Sequence, residues 1–580
     1  MTAETLTPRG GPGPAGEEPT RTRPRRFGVK HLVYLVVFLI IAYLVISPVF
    51  YLLAATFIDD TGFTLDAFVR AFGDPGALRL VANTVIFSVG SAIIALVLGT
   101  ALAYLQARTD IRMKGLLFAA SLMPLVLPAV VYAVSWVFLY GGEVGIVSST
   151  LVALFGSSPL SAYRLPGMIT ASGLHLVPLV FLFMVPAFRA MDPSLEEAAR
   201  VAGANWWTVT RAVTLKLIRP ALSSSAIIVL VLGLESFEMP QILGESKGVS
   251  VFTSRIYFLM NGYPTDIGAA GAVSIALMAI AVLLMYGTGA GGGSRKEHQT
   301  VTGKAFKPVT VSLGKVRPIV NIGVFLYFLV AVVLPIVALL YVSLIPFYST
   351  PSWDTLFSLS IDNYVQLSKV RGIGPAILNT VVIALVSATA TMILTTFAAW
   401  FVVRSTLFGR RILEFLTLVP LVVPGLVLGL GMMAVYLRSP LPIYGTVVIL
   451  MIAYITRFMT YGMRYASSAM TQIGNELEEA ALVNRAGWLT SFRRILVPLA
   501  APGILSGWIF VFLVSFRELA STVLLAGPNS EVLSVILFRQ YGEGTFGVVA
   551  ALSIVMVAIL SLIVGLAYWI GSRFGTRIEL

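Results

Sequence analysis

Long apolar stretches are the feature that most constrains how this chain can fold. Twelve of them recur along its 580 residues, and a helix of about 20 residues is long enough to cross a bilayer. Hydrophobic residues make up 57% of the chain and charged residues 12%, whereas a soluble domain has about 25% charged residues. The sequence therefore predicts an all-α polytopic membrane protein with spans near residues 32–57, 80–105, 115–140, 166–189, 218–240, 267–289, 318–345, 376–402, 412–437, 443–466, 502–526 and 546–570.

The distribution of lysine and arginine predicts how the chain is oriented. If the N-terminus is cytoplasmic, the segments on that side carry 29 of these residues and the segments on the other side carry 9. Cytoplasmic loops of membrane proteins are enriched in lysine and arginine. We therefore expect a multi-pass membrane protein with both termini in the cytoplasm. The same bias explains the net charge of +13 without nucleic acid as a partner.

Two stretches differ in composition from the spans and divide the chain. Residues 1–30, rich in proline, glycine and arginine, predict a disordered basic cytoplasmic tail. Residues 290–317, rich in glycine and basic side chains, predict a cytoplasmic linker. The sequence therefore predicts a first repeat of six spans at 31–289 and a second repeat of six spans at 318–575.

The two halves also repeat each other residue by residue. Residues 196–222 align without gaps with residues 478–504, and eleven of these 27 positions are identical, where chance gives about two. The stretch that begins at Asn83 likewise matches the stretch that begins at Asn379. Because each half has an even number of spans, both copies have the same orientation, which predicts parallel repeats about a pseudo-twofold axis along the membrane normal. Four prolines at matching positions predict kinks in the third and ninth spans: Pro124, Pro128, Pro420 and Pro424.

A polar, helix-forming segment occurs once in each half, on the predicted cytoplasmic side. It reads EEAARVAGANWW from Glu196 and EEAALVNRAGWL from Glu478. Its small side chains would let a partner approach closely. The alternative is an amphipathic helix that only lies among the lipid headgroups. The occurrence of the segment in both halves favours a partner.

Capping residues predict where the helix of each segment begins and ends. In the first copy, Asp192 before Pro193 is a good N-cap, and Gly203 can end the helix in a left-handed conformation. In the second copy, Asn475 is the predicted N-cap and Gly487 the predicted stop.

The pattern Glu-Ala-Ala, three residues, then Gly resembles the cytoplasmic signature of ABC importer permeases. The resemblance covers about residues 30–575. The stretches LESFEMPQILGESKGVSVFTSRIY and SFRELASTVLLAG resemble the fused, two-domain type exemplified by ferric-iron permeases. The resemblance implies a fold like that of type I permeases, in which the helix of each polar segment is a coupling helix. The implied partners are two copies of an ABC ATPase subunit, an extracytoplasmic solute-binding protein and membrane lipids.

The resemblance also implies which residues couple the chain to the ATPase. They are Glu196, Glu197, Ala198, Ala199, Gly203, Glu478, Glu479, Ala480, Ala481, Arg485 and Gly487. Two positions depart from the family pattern: Lys216 stands where a proline is usual, and Arg485 stands where a glycine is usual. The two docking sites are therefore expected to differ in shape.

The sequence contains none of the motifs that would make the chain an enzyme. It has no G-x-x-x-x-G-K-[ST] stretch for binding ATP phosphates. It has no cysteine, and its three histidines are dispersed. We therefore expect a non-catalytic subunit without a fixed metal or cofactor, with ATP and Mg²⁺ bound by partner subunits.

Charged residues near the ends of spans are candidates for a substrate pathway, because charge inside a membrane is costly and is usually functional. The candidates are Glu235, Glu238, Arg517 and Glu518. These residues could form a polar collar for a cation. Alternatively, they cap helices or pair with each other, for example Glu518 with Arg517. The lone residues Arg457 and His175 are more typical of packing or snorkelling side chains.

The sequence thus predicts the pathway subunit of an ATP-driven importer that works by alternating access, with ferric iron favoured as the substrate by the resemblance. Thiamine, a polyamine and a phosphonate are the alternative substrates. An ion-coupled secondary transporter is the alternative class, since parallel repeats of six spans also occur there. A membrane scaffold or insertase would not need two copies of a docking segment.

Overall fold

The computed structural model describes residues 28–60, 62–142, 144–158, 161–287 and 311–573. The predicted disordered tail and most of the predicted linker lie outside these ranges. Within them, ten helices are long and apolar enough to cross a membrane, and two pairs of helices pass the same test as bent pairs. With each pair counted as one span, the predicted number of twelve is confirmed.

We number the spans 1 to 12 along the chain. Their bounds are Val29–Phe57, Ala77–Arg108, Lys114–Val126 with Ala129–Tyr140, Leu165–Arg189, Trp207–Glu235, Ile267–Leu284, Gly314–Leu344, Ile373–Arg404, Arg410–Leu421 with Gly425–Tyr436, Val447–Thr471, Trp488–Phe516 and Phe546–Leu566.

Short elements connect the spans. Strands Ile58–Asp59 and Gly62–Phe63 pair antiparallel after span 1. The short helices are Asp66–Phe72, Ile146–Phe155, Pro193–Val201, Phe252–Asn261, Trp353–Phe357, Asp362–Lys369, Glu476–Val483, Thr522–Leu525 and Leu533–Gly542.

Spans 3 and 9 are broken, where the sequence predicted only kinks. The two helices of each pair meet at 104° in span 3 and at 109° in span 9. Pro128 and Pro424 directly precede the second helices, where a proline cannot continue the first helix because it lacks an N–H group. Both second helices are almost entirely buried, so packing on all sides fixes the sharp angle. A proline in a sequence indicates where a helix bends but not by how much.

Spans 5 and 11 begin roughly three to four turns before their apolar stretches, at Trp207 and Trp488. Each passes through one turn of π-helix, Thr210–Thr214 in span 5 and Phe492–Leu496 in span 11. The basic residues in these first turns lie outside any apolar window, although the helix runs through them. Hydropathy therefore placed the start of both spans too late.

The first span of each half packs against the other half. In span 1, the Tyr34 hydroxyl donates to the Phe408 carbonyl at 2.8 Å, and Ile41 is buried in a cluster with residues of spans 8 to 11. In the opposite direction, the Tyr132 hydroxyl of span 3 donates to the Ala331 carbonyl of span 7 at 3.2 Å. This exchange joins the two halves into one transmembrane unit.

Candidate functional site

The repeated segment of the first half folds as the helix Pro193–Val201, followed by a turn and the start of span 5. The Asp192 side chain accepts a hydrogen bond from the Ser194 N–H at 2.9 Å, as an N-cap does. Gly203 has a φ of 84°, and the Ala204 N–H donates to the Ala199 carbonyl at 3.0 Å. The predicted cap and left-handed stop of helix 193–201 are therefore confirmed.

The second copy, Glu476–Val483, ends differently from the prediction. Arg485 takes the left-handed conformation, with a φ of 57°, and Gly487 has a φ of −67° and begins span 11. The prediction that Gly487 stops helix 476–483 is wrong. Since the copies align without a gap, position 485 is the equivalent of Gly203, and the arginine there must take the strained conformation. The backbone carbonyl of Asn475 accepts the first helical bonds, from the N–H groups of residues 478 and 479.

Glu196 anchors helix 193–201 to the membrane spans and does not face outward. Its carboxylate pairs with the Arg108 guanidinium of span 2 at 2.7 Å, and both side chains are buried. The same carboxylate accepts a hydrogen bond from the Thr214 hydroxyl of span 5 at 2.7 Å. From the sequence, Arg108 is only one of the basic residues on the predicted cytoplasmic side, and this role was not predicted.

The second copy is anchored by different bonds. The Glu478 carboxylate accepts a hydrogen bond from the Trp400 indole N–H of span 8 at 3.1 Å. Arg404, the equivalent of Arg108, donates to the Met470 carbonyl and to the Asn475 side chain. The two segments therefore share a backbone shape but not their attachments.

The outward faces of the two helices carry matching apolar and acidic residues. Val201 is 90% exposed and its equivalent, Val483, is 83% exposed. Leu195 and its equivalent, Leu477, are exposed on the same helices. Among the predicted coupling residues, Glu197, Ala198, Gly203, Glu479, Ala480, Arg485 and Gly487 are exposed, Ala199 is half-buried and Ala481 is buried.

These valines and leucines were not among the predicted coupling residues, although they stand at equivalent positions in both copies. An apolar residue that is kept at the same place on an otherwise polar helix is the signal that could have identified them.

Five charged residues from both halves form a cluster, which we call the central charge cluster: Glu235, Glu238, Arg457, Arg517 and Glu518. The Arg457 guanidinium of span 10 lies 3.5 Å from the Glu235 carboxylate of span 5 and 3.4 Å from the Glu518 carboxylate after span 11. Arg517 donates to the carbonyl of Leu125, which lies in the last turn before the break of span 3, where carbonyls lack a helical donor. Arg457 therefore links the two halves through an ion pair, and Arg517 links them through a hydrogen bond.

The alternative in which these groups pair with each other gave Glu518 with Arg517 as an example, whereas Glu518 pairs with Arg457. Arg457, which was interpreted from the sequence as a packing or snorkelling side chain, is therefore the residue that joins the two acidic groups. Burial and the charge of Glu518 raise the pKa of the Glu238 carboxyl, just after span 5, to about 7, and Glu238 forms no ion pair within the described residues. The cluster thus contains three carboxylates and two guanidinium groups, and its net charge depends on the protonation of Glu238. In the described part of the chain, no group of three or more histidine or acidic residues could hold a metal ion.

Comparisons with known proteins agree with this architecture. The family described as binding-protein-dependent transport system inner membrane component matches the chain twice, over residues 95–288 and 392–576. The two matches confirm that the chain contains the same unit twice. They do not fit the alternative of an ion-coupled secondary transporter.

The names of individual relatives mention different substrates. A ferric transport system permease protein of Actinobacillus pleuropneumoniae is 27% identical over 541 residues, which cover 92% of this chain and 77% of that protein. An Fe(3+)-transport system permease protein of Haemophilus influenzae is 23% identical over 497 residues, covering 83% and 88%. A putrescine transport system permease protein of Escherichia coli is 27% identical over 196 residues, covering 33% and 70%. The chain belongs to the family of binding-protein-dependent transport system inner membrane components, as a fused permease of an ABC importer.

Proposed function

We propose that the chain forms the transmembrane pathway for ferric iron in its importer and is driven by two copies of an ATPase that dock on helices 193–201 and 476–483. The observation that carries this proposal is the pair of matching exposed surfaces, built on equivalent positions of a repeated scaffold. Burying one exposed valine on a partner contributes about 1.5 kcal/mol. The acidic residues beside it, Glu197 and Glu479, favour a basic rim on the ATPase groove.

The attachments of helix 193–201 explain how a push from an ATPase would reach the pathway. The Arg108–Glu196 ion pair joins this helix to span 2, and the Thr214 hydrogen bond joins it to span 5. A buried ion pair resists being pulled apart, because either charge left alone would lack a partner. The helix and the ends of both spans would therefore move as one body.

The proposed orientation follows from the excess of lysine and arginine on one side. It places the ATPases, ATP and Mg²⁺ at the cytoplasmic face, with both termini of the chain, and the solute-binding protein at the outer face of a bacterial inner membrane. ATP binding would draw the two docking helices together and open the pathway outward. Hydrolysis on the partner subunits would return it to the inward state.

The central charge cluster is the proposed route for a cation. Its carboxylates, with Glu238 free of an ion-pair partner in the described residues, would attract Fe³⁺ released by the binding protein. Because the Arg457–Glu235 pair spans both halves, the pathway can open only if this contact loosens. The iron is the transported substrate, and a resident metal site is not required.

A polyamine such as putrescine is the second candidate substrate. The match to the putrescine permease favours it, and a dication would be attracted by the same acidic cluster. Two experiments test these proposals.

The docking proposal is tested by isolating the complex. We expect that Val201→Asp together with Val483→Asp removes the ATPase from the purified permease, because burying a carboxylate without a partner is costly. Phe357→Asp is the matched control, since Phe357 is 88% exposed on the opposite side and should leave the ATPase bound. Full retention of the ATPase by the double variant would overturn the docking proposal.

The substrate proposal is tested by uptake into proteoliposomes that contain the complete importer with its binding protein. Glu238→Gln is expected to lower uptake of Fe³⁺, whereas Glu245→Gln, on the same connection but outside the cluster, leaves it unchanged. Uptake of putrescine but not of Fe³⁺ by the unmodified importer would favour the second candidate. Unchanged uptake by Glu238→Gln would overturn the cation route.

A further inference from the structure

A large apolar cavity lies beside the attachment of helix 193–201. Its volume is about 1140 Å³, above the 300–1,000 Å³ that is typical of sites for drug-sized ligands. Its walls come from span 2, from the first half of span 5, from Phe188 of span 4, and from residues 311–320, where the predicted linker ends and span 7 begins. Representative lining residues are Leu96, Ala101, Tyr104, Ile218, Leu222 and Val320. No residue of the described chain fills it.

The second half shows how this space can be closed. Ala101 and Thr210 line the cavity, and their equivalents are Phe397 and Phe492, whose rings stack at 4.8 Å between centroids. Ala226, another lining residue, is replaced by Trp508 in the second half. The same scaffold is thus filled by aromatic rings in one half and left open by small residues in the other.

Side chains at the rim indicate what kind of ligand the cavity takes. Arg219 lines it, is exposed, and forms no ion pair within the described residues, and its equivalent in the second half is Ala501. Lys216 lies on the same stretch of span 5 and is also exposed. Two carboxylates near this end are already paired, Asp110 with Arg317 and Glu196 with Arg108. The rim therefore offers unpaired positive charge to an anion.

The cavity also opens toward the membrane. Val97 of span 2 and Leu215 of span 5 both line it and are 63% and 41% exposed, so their outer surroundings are the acyl chains of the bilayer. An apolar slot with a cationic rim, at the level where a span ends, matches a phospholipid with its acyl chain inside and its phosphate at the rim.

We propose that this cavity is a binding site for one anionic phospholipid, with an acyl chain between spans 2 and 5 and the phosphate against Arg219. Thr214, which lines the cavity, also donates to Glu196, so a bound lipid would touch the attachment of helix 193–201. In the described part of the second half, stacked aromatic rings occupy the equivalent positions. One lipid per chain would thus support one of the two docking helices.

The binding test is native mass spectrometry of the full-length permease, purified from membranes in mild detergent and titrated with phosphatidylglycerol or phosphatidylcholine. We expect one tightly retained phosphatidylglycerol. Ala101→Phe with Thr210→Phe copies the second half into the cavity and should lower its retention by at least about tenfold, since each lost methylene contact weakens lipid binding. Arg219→Ala should lower the preference for phosphatidylglycerol over phosphatidylcholine by about fivefold.

Ile93→Phe is the control, because Ile93 is exposed on span 2 and lies outside the cavity, so retention of the lipid should not change.

A second measurement uses the unmodified chain and does not depend on whether the variants fold. Phosphatidylglycerol with a photoreactive acyl chain should label the peptides around residues 96–105 and 215–226 more strongly than the equivalent peptides at 392–401 and 497–508. Equal labelling of both halves, equal retention of the two lipids, or unchanged retention by the filled variant would overturn the proposal.

Discussion

Equivalent positions in the two halves carry different side chains at the centre of the molecule. Arg457 stands where the first half has His175, and Arg517 stands where it has Glu235. A symmetric dimer would place identical charges opposite each other, whereas the fused chain can place Arg457 against Glu235, at 3.5 Å. The repeat was visible in the sequence, but which side chains meet across it depends on the packing of both halves.

Removing the central guanidinium tests this arrangement. We expect Arg457→Met to destabilise the permease by about 3–5 kcal/mol, because Glu235 and Glu518 are then left buried without a counter-charge. The measurement is the unfolding midpoint in detergent. A variant that also carries Glu235→Gln and Glu518→Gln should recover much of the loss. An equally large loss in that triple variant would show that the charges are not the cause.

The left-handed residue at the end of helix 193–201 makes a second prediction. Gly203→Ala adds a Cβ to a residue whose φ is 84°, which should lower the stability of this turn by about 1 kcal/mol. Faster hydrogen exchange at the amides of that helix would report this cost. Gly487→Ala is the control: its φ is −67° and no atom lies within 4 Å of the added Cβ. Faster exchange of helix 476–483 in Gly487→Ala would contradict the observed turn.

At the scale of elements, apolar length predicted the number of spans and their positions well. The same signal failed where polar residues belong to a helix, as at Trp207 and Trp488, and where buried packing sets a bend, as after Pro128 and Pro424. The anchoring of helix 193–201 by Arg108 was also hidden, because a contact over 88 positions of sequence leaves no local pattern.

Breaking this anchor should loosen helix 193–201. Arg108→Met leaves the Glu196 carboxylate buried without its partner, and we expect faster hydrogen exchange throughout that helix. Adding Glu196→Gln should restore much of the protection, because the unpaired charge is then gone. Arg112→Met, on the same connection but exposed, is expected to have no effect. Equal effects of Arg108→Met and Arg112→Met would contradict an anchoring role.

The end of the predicted linker is attached to Asp110 by contacts that should not change with pH in the physiological range. Asp110 accepts a hydrogen bond from the Leu313 N–H at 2.9 Å, and this bond, with the nearby Arg317, holds the pKa of the Asp110 carboxyl below its usual value. A lowered pKa means that the contribution to stability is complete at neutral pH and is lost only as the pH falls below about 3.9.

We therefore expect the intrinsic-rate-corrected exchange protection of residues 311–316 to stay constant between pH 8 and pH 5. Asp110→Asn should lower that protection at every pH in this range. A fall in protection between pH 7 and pH 5 in the unmodified chain would show that another group controls the contacts with Asp110.

For the whole molecule, the repeat was the most informative signal in the sequence. It predicted two parallel groups of six spans and two polar segments on one side, and the family match over both halves confirms the repeat. The sequence could not predict that the first span of each half packs against the other half, as the hydrogen bond between Tyr34 and Phe408 shows. Such an exchange depends on tertiary packing, because a first span buries the same apolar stretch whether it packs against its own half or against the other half.

The central claim is that separate ATPases act on this chain at two cytoplasmic helices. The chain has no cysteine, so Val201→Cys or Val483→Cys introduces a single thiol that a membrane-impermeant maleimide can report. We predict labelling of both variants in inside-out vesicles and not in right-side-out vesicles, with labelling blocked when the ATPase is bound. Labelling of either thiol from the outside, or unchanged labelling with the ATPase present, would contradict the claim.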